Sequence, residues 1–402
     1  MDRPVYRWGV VALISLGTIV NYLSRNALAV LAPQLRDVLH FGAREYSYVI
    51  GAFQLAYTVV QPLCGRVLDL VGVRVGFAAF ALAWSAAGVL HAGVTGWPGL
   101  AACRGLLGAS EAAAIPAGMK AVSEWFQGAA RSTAVGWFNV GTSLGAMIAP
   151  PLTVWLTLSF GWRSAFVATG LLGVVWAGLW LALYRSPVGL KRAPAQRESL
   201  GTVLRQRRFW ALAIPRFLAE PAWQTFSFWI PLYLSVERHW NLTQIALFAW
   251  APFLAADLGG VAGGYLSPWL MRRFQLSLLN ARQASMVLGA ALMILPGCVG
   301  LVAGPVAAIG LLCAGGFAHQ MISVTINTLS ADLFPSRTLG TANGWIGSAG
   351  WAGGLLFSLL IGQVVQATGY GPLFACLSAF DILGAVMLIV MLRGIAPIDE
   401  AA

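Results

Sequence analysis

Charge is scarce in this chain. Only 10% of its 402 residues are Asp, Glu, Lys or Arg, and the acids number just 14. Soluble globular domains carry about a quarter charged residues, so a fold built in water is excluded. Cysteine is sparse too. Cys64, Cys103, Cys298, Cys313 and Cys376 lie in or beside apolar runs, with neither metal-ligand nor paired-loop spacing. No disulfide and no metal site are expected. No nucleophile–base set and no phosphate-binding loop occurs, so an enzyme is not expected. A cleavable leader is not expected either: the first apolar stretch is too long and no small-residue cleavage site follows it.

What is present is apolar length. Hydrophobic residues make up 58% of the chain, and they recur in long runs from end to end. The spacing predicts twelve spans, at about 9–32, 45–66, 77–95, 97–122, 133–156, 163–185, 209–235, 243–270, 284–303, 305–330, 340–365 and 371–393, each long enough for a tilted membrane helix. All must be helices, because lipid cannot satisfy an open strand's backbone. The expected class is an all-α polytopic membrane protein. Its 17 tryptophans fall partly near span ends, as an aromatic belt requires.

The formal net charge is +11. Its distribution argues against nucleic acid and for membrane topology. With twelve spans, one set of alternate loops carries only Arg36, Arg44, Arg163 and Arg238. Arg25, Arg104, Lys120 and Arg216 fall within spans, and every other Lys and Arg falls on the opposite side. The positive-inside rule then places both termini in the cytoplasm.

The cations inside the spans are costly unless they face water or a partner. Arg25 sits in NYLSRN, the middle of the first span. In the fourth, Arg104 and Glu111 are seven residues apart, two turns along one face. An arginine and a carboxylate so placed can hold an anion and exchange a proton; a structural ion pair is the plainer reading. Arg216 and Glu220, at i and i+4, read as a neutralising pair, with a gate as the sharper alternative. Asp257 and Asp381 read as ties between helices.

The polar stretch 186–208 divides the chain into 1–185 and 209–402, two groups of six spans. An internal echo supports the division. At an offset of 208 residues, Glu124 matches Asp332, Phe126 matches Phe334, Thr133 and Ala134 match Thr341 and Ala342, Gly136 matches Gly344 and Gly145 matches Gly353. Two related six-helix halves predict a substrate site near the midplane between them. Glycines gathered in the fifth and eleventh spans fit close helix approach.

Between the second and third spans lies GRVLDLVGVRVG. It resembles the signature loop of the major facilitator superfamily, with Gly65, Asp69, Gly72 and Arg74 matching and Leu70 and Val75 departing from basic choices. The strings CRGLLGASEAAAIPAGMKAVSEWF, AYTVVQP, WFNVGTSLGAMIAPPL, PRFLAEPAWQTF, GGFAHQ and TANGW resemble the anion:cation symporter branch, and within it the bacterial hexuronate transporters. The resemblance covers nearly the whole chain. It implies proton-driven import of galacturonate or glucuronate across the bacterial inner membrane, with no cofactor beyond protons, a small organic anion and membrane lipid as partners, and no obligate protein partner. It implies that Arg25 and Tyr57 hold the sugar acid, with Asn139, Thr142, Ser143 and Asn343 contributing. Glu111 is the implied proton carrier, with Arg104 as its partner, and the signature loop the implied conformational lock.

The chemistry of such a substrate is consistent with these residues. Arg25 offers a planar donor fork to a carboxylate. Gln54, Tyr57, Asn139 and Gln320 suit hydroxyls, and Trp223 and Trp229 offer flat faces to a sugar. His319 is either a ligand or a satisfied interior histidine. Burial and neighbouring cations pull a carboxyl such as Glu111 in opposite directions, which leaves it able to change protonation. One position departs from the family: Ser24 stands where members usually carry Asp before the arginine. A serine does not titrate in this range, so proton stoichiometry, and coupling itself, stay open; an uncoupled uniporter or a trapped variant are the alternatives. Another sugar acid, an aldonate or aldarate, is the alternative substrate. A membrane sensor and a drug exporter fit less well.

Overall fold

The computed structural model describes residues 3–126, 128–187, 200–334 and 336–395, and among them only helices and turns occur. The side chains of Asp69 and Asn139 lie outside the described set, as do most of the residues between the two groups of spans, 188–199. Eight helical segments among the described residues are long and apolar enough to cross a membrane. The other four predicted spans are also helical. They hold Arg25, Gln54 and Tyr57, Arg104 with Glu111 and Lys120, and Arg216 with Glu220, the polar side chains that dilute their hydropathy.

Two compact units form. The first is Met1–Ala193 with Ile230–Trp250. It contains α1 (Arg3–Leu39), α2 (Ala43–Val71), α3 (Val73–Leu90), α4 (Trp97–Glu111), α5 (Ala114–Trp125), α6 (Gly128–Phe160) and α7 (Trp162–Leu183). The later short helices α10 (Ile230–Val236) and α11 (Leu242–Phe248) pack on α1 and α6 and so belong here. The principal pairings are α1 with α6, α2 with α4, and α3 with α7.

The second unit is Pro194–Trp229 with Ala251–Ala402. It contains α8 (Leu200–Leu204), α9 (Arg207–Gln224), α12 (Ala251–Phe274), α13 (Leu278–Leu292), α14 (Ile294–Gly297), α15 (Pro305–Leu333), α16 (Ser336–Thr368) and α17 (Gly371–Leu392). Here α9 packs on α16, α12 on α15, and α13 on α17. In span order these are first with fifth, second with fourth and third with sixth, the pattern of the first unit.

Glycine makes the shared pairings possible. In lipid, helices associate through close packing and hydrogen bonds rather than hydrophobic burial. A Cβ on Gly108 of α4 would strike the Phe53 carbonyl of α2, and one on Gly316 of α15 would strike the Pro252 carbonyl of α12. The echoed carboxylates also tie helices in each unit: Tyr184 donates to Glu124 over 2.6 Å, and Arg282 donates to Asp332 over 3.0 Å.

Several predicted spans are interrupted. The fourth breaks just after Glu111, because Pro116 has no N–H for the Ala112 carbonyl and its ring crowds that turn. The seventh passes through a π-helical turn, Thr225–Trp229, between α9 and α10. Tryptophan is not confined to span ends. Trp84, Trp176 and Trp180 are fully buried between α3 and α7, with Trp176 and Trp180 rings 5.5 Å apart. Two of the three indoles are tied as well: Trp176 donates to the Leu13 carbonyl and Trp180 to the Arg74 carbonyl.

Candidate functional site

Three helices of the first unit bring their polar residues together. On α1, Asn21 and Arg25 are one turn apart and share a face. On α2, Phe53 and Tyr57 do the same, with rings 5.8 Å apart. On α4, Arg104 and Glu111 lie two turns apart, both fully buried. The close α2–α4 approach at Gly108 sets the Arg104 guanidinium 4.6 Å from the Phe53 ring.

At the centre, Arg25 Nε donates to Glu111 Oε2 over 2.8 Å, and Arg25 Nη2 donates to Asn21 Oδ1 over 3.3 Å. The guanidinium also lies over the rings of Tyr22, Tyr57 and Phe53, at 4.7, 5.2 and 5.4 Å. Arg104 Nη1 donates to the Arg25 backbone carbonyl over 3.2 Å. Glu111 thus takes its hydrogen bond from α1, while Arg104, on its own helix, bonds to the chain that carries Arg25. Two guanidinium groups face one carboxylate, a formal excess of one positive charge when Glu111 is ionised. An anion would neutralise that excess.

Ser24 is buried beside this pair, its hydroxyl without a hydrogen-bond partner among the described residues. Gln54 is fully buried on α2. Thr142 and Ser143 lie on α6 between Gly141 and Gly145, the two glycines that touch α1 backbone. Lys120 lies apart from the cluster: its Nζ donates to the Leu68 carbonyl over 2.9 Å, near the α2–α3 turn. There Gly72 adopts φ +83°, a left-handed value that suits glycine, and its N–H also reaches the Leu68 carbonyl. Arg74 donates to the Leu181 carbonyl over 2.6 Å. Gly65 sits within α2.

The second unit has its own polar cluster. Arg216 pairs with Glu220 at 2.8 Å and donates to Ser323 Oγ over 2.6 Å. Gln224 donates to the other oxygen of Glu220 over 3.0 Å. Beside them, the partly exposed Trp223 stacks on His319 at 5.8 Å and 20°, and meets Phe253 edge-on at 5.6 Å. Trp229 is fully buried within the π-helical turn. Gln320 is half-buried on α15, and Asn343 is exposed on α16.

Asn21, Tyr22, Phe53, Gln224 and Ser323 were not singled out from sequence. Helical spacing carries a signal for three of them: Asn21 stands four before Arg25, Phe53 four before Tyr57, and Gln224 four after Glu220. Ser323 has no such signal, because it meets Arg216 from a helix about a hundred residues on.

The model of the Major Facilitator Superfamily matches residues 14–358. A hexuronate transporter of Escherichia coli K12 is 46% identical over 414 residues, covering 98% of this chain and 96% of that protein. A galacturonate transporter of Dickeya chrysanthemi is 45% identical, covering 75% of this chain and 93% of that one. The crystal structure of a bacterial homologue of the human lysosomal transporter Spinster superposes with a TM-score of 0.76 at 16% identity, covering 96% of this chain and 95% of that chain, a likeness of fold. The chain belongs to the major facilitator superfamily.

Proposed function

We propose that this protein is a secondary active transporter of hexuronates such as galacturonate and glucuronate, that it is not an enzyme, and that it imports its substrate with protons by alternating access. The buried Arg25–Glu111 pair, with Arg104 beside it, carries the reading. A carboxylate ligand and Glu111 compete for one guanidinium. While Glu111 is ionised it occupies Arg25 Nε. Once protonated it no longer compensates the arginines, and a substrate carboxylate takes its place against the planar fork. Anion and proton therefore enter the site together, which is the requirement for symport.

Tyr57, Gln54, Thr142 and Ser143 are the hydroxyl-binding candidates of the first unit, with Asn139 and Asn343 from the family resemblance and Gln320 from the second, while Trp223 is a candidate for the apolar face of the sugar. Trp229 is a packing residue in this reading, given its full burial. The hexuronate and galacturonate transporters named above support this substrate class. A D-galactonate transporter of Escherichia coli, 26% identical over 97% of this chain, keeps an aldonate as the second reading. We place the protein in the bacterial inner membrane with cytoplasmic termini, on the loop charge asymmetry. Among the described residues Glu111 is the single carboxylate hydrogen-bonded in the first-unit cluster, and with Ser24 beside Arg25 we assign one proton per substrate.

The test is uptake of labelled galacturonate into proteoliposomes with and without an inward pH gradient. Accumulation that follows the gradient supports the proposal. Uptake that equilibrates identically with and without it refutes symport, and no uptake refutes the substrate class.

A further inference from the structure

The two units can be registered on each other residue by residue, through their glycine contacts. Gly108 approaches the Phe53 carbonyl, and Gly316, 208 residues on, approaches the Pro252 carbonyl in the same way. Gly145 approaches the Ile19 carbonyl, and Gly353, again 208 on, approaches the Phe217 carbonyl. Ile19 therefore corresponds to Phe217. Six residues beyond Ile19 stands Arg25; six beyond Phe217 stands Trp223. Three beyond Gly108 stands Glu111; three beyond Gly316 stands His319. The geometry agrees, since Arg25 touches Glu111 and Trp223 touches His319. The place of the charged pair in one unit is taken in the other by a stacked aromatic pair.

The difference in chemistry has a consequence for the ligand. The ion pair recognises a carboxylate. A stacked aromatic pair suits a flat array of C–H groups. The plane of Trp223 is set by the near-parallel His319 ring and by a T-shaped contact with Phe253, and the indole keeps a partly exposed surface. His319 itself is 1% exposed, so its ring acts on Trp223 by its face. A hexuronate in water is a closed pyranose with such a C–H face; an aldonate or aldarate is an open chain without one.

We propose that Trp223 is a specificity-determining residue that favours the ring form of a sugar acid over an open chain, and that His319 is the positioning residue that sets its plane. The proposal rests on the hexuronate reading above.

The experiment is competition of labelled galacturonate uptake by unlabelled galacturonate and by galactonate, using the full chain in proteoliposomes. The wild type prefers galacturonate. Trp223→Leu narrows that preference roughly three- to tenfold, the scale of one aromatic contact, while Trp223→Phe keeps most of it. His319→Ala narrows it as well, and His319→Phe restores it because a flat ring is again behind the indole. Should Trp223→Leu not be recovered folded, Trp223→Met is read in its place. An unchanged ratio in the aliphatic Trp223 variant and in His319→Ala overturns the proposal while leaving hexuronate transport intact. Equal narrowing by His319→Phe and His319→Ala overturns the positioning role. A wild type that takes up no galacturonate removes both readings at once.

Discussion

Arg25 on α1 and Glu111 on α4 stand 86 residues apart in the chain and 2.8 Å apart in the fold, with side chains 7% and 0% exposed. Each needs the other in this state. A lone charge in this interior would be unsupported, so whatever displaces one partner must bring a charge or a proton with it.

The first prediction concerns Glu111. Glu111→Gln keeps the shape and removes the titration. Accumulation driven by a pH gradient is lost, and exchange of external for internal galacturonate persists. Counterflow and gradient-driven uptake in the same vesicles check this; gradient-driven accumulation by the variant removes Glu111 as carrier.

A second prediction concerns stability. Arg25→Ala leaves the Glu111 carboxylate buried without its main hydrogen bond, and lowers stability by about 3–5 kcal/mol. Adding Glu111→Gln recovers most of that loss. Thermal unfolding of the purified variants in detergent measures both steps. Arg25→Lys retains charge but not the planar fork, so apparent galacturonate affinity falls by roughly 10–100-fold.

Helix contact yields a third. Gly108→Leu and Gly316→Leu each force a side chain against a carbonyl of the facing helix, and each costs about 1–3 kcal/mol or more by overpacking. Gly178→Ala is the control, since a Cβ there meets nothing within 4 Å. Unfolding temperatures order the three variants.

Lys120 bonds to the Leu68 carbonyl near the α2–α3 turn rather than to Arg25 or Glu111. Lys120→Met removes the bond to the Leu68 carbonyl, worth about 1 kcal/mol. Thermal stability drops slightly and apparent substrate affinity stays at the wild-type value. A large affinity loss would place Lys120 at the substrate after all.

Much of this was legible in the chain. An arginine amid apolar residues declares itself, because lipid makes unpaired charge costly wherever it falls. Helical period alone put Arg104 and Glu111 on one face, and the 208-residue echo announced two related halves. Period also points to Asn21 beneath Arg25. Which cation meets Glu111 was not readable, since that depends on how α1 and α4 lie side by side. The break after Glu111 follows from Pro116, and the π-helical turn at Thr225–Trp229 runs up to Pro231, which has no N–H for the Ser227 carbonyl.

The residue types by themselves determined the medium, the helices and the repeat, because hydropathy, backbone satisfaction and periodicity act locally along the chain. Only tertiary structure decided the pairings. Arg25 with Glu111, Arg216 with Ser323 and Trp223 with His319 all join helices distant in sequence. The correspondence of an ion pair with an aromatic pair leaves no trace of identical residues, so it emerges only when both glycine contacts are in place.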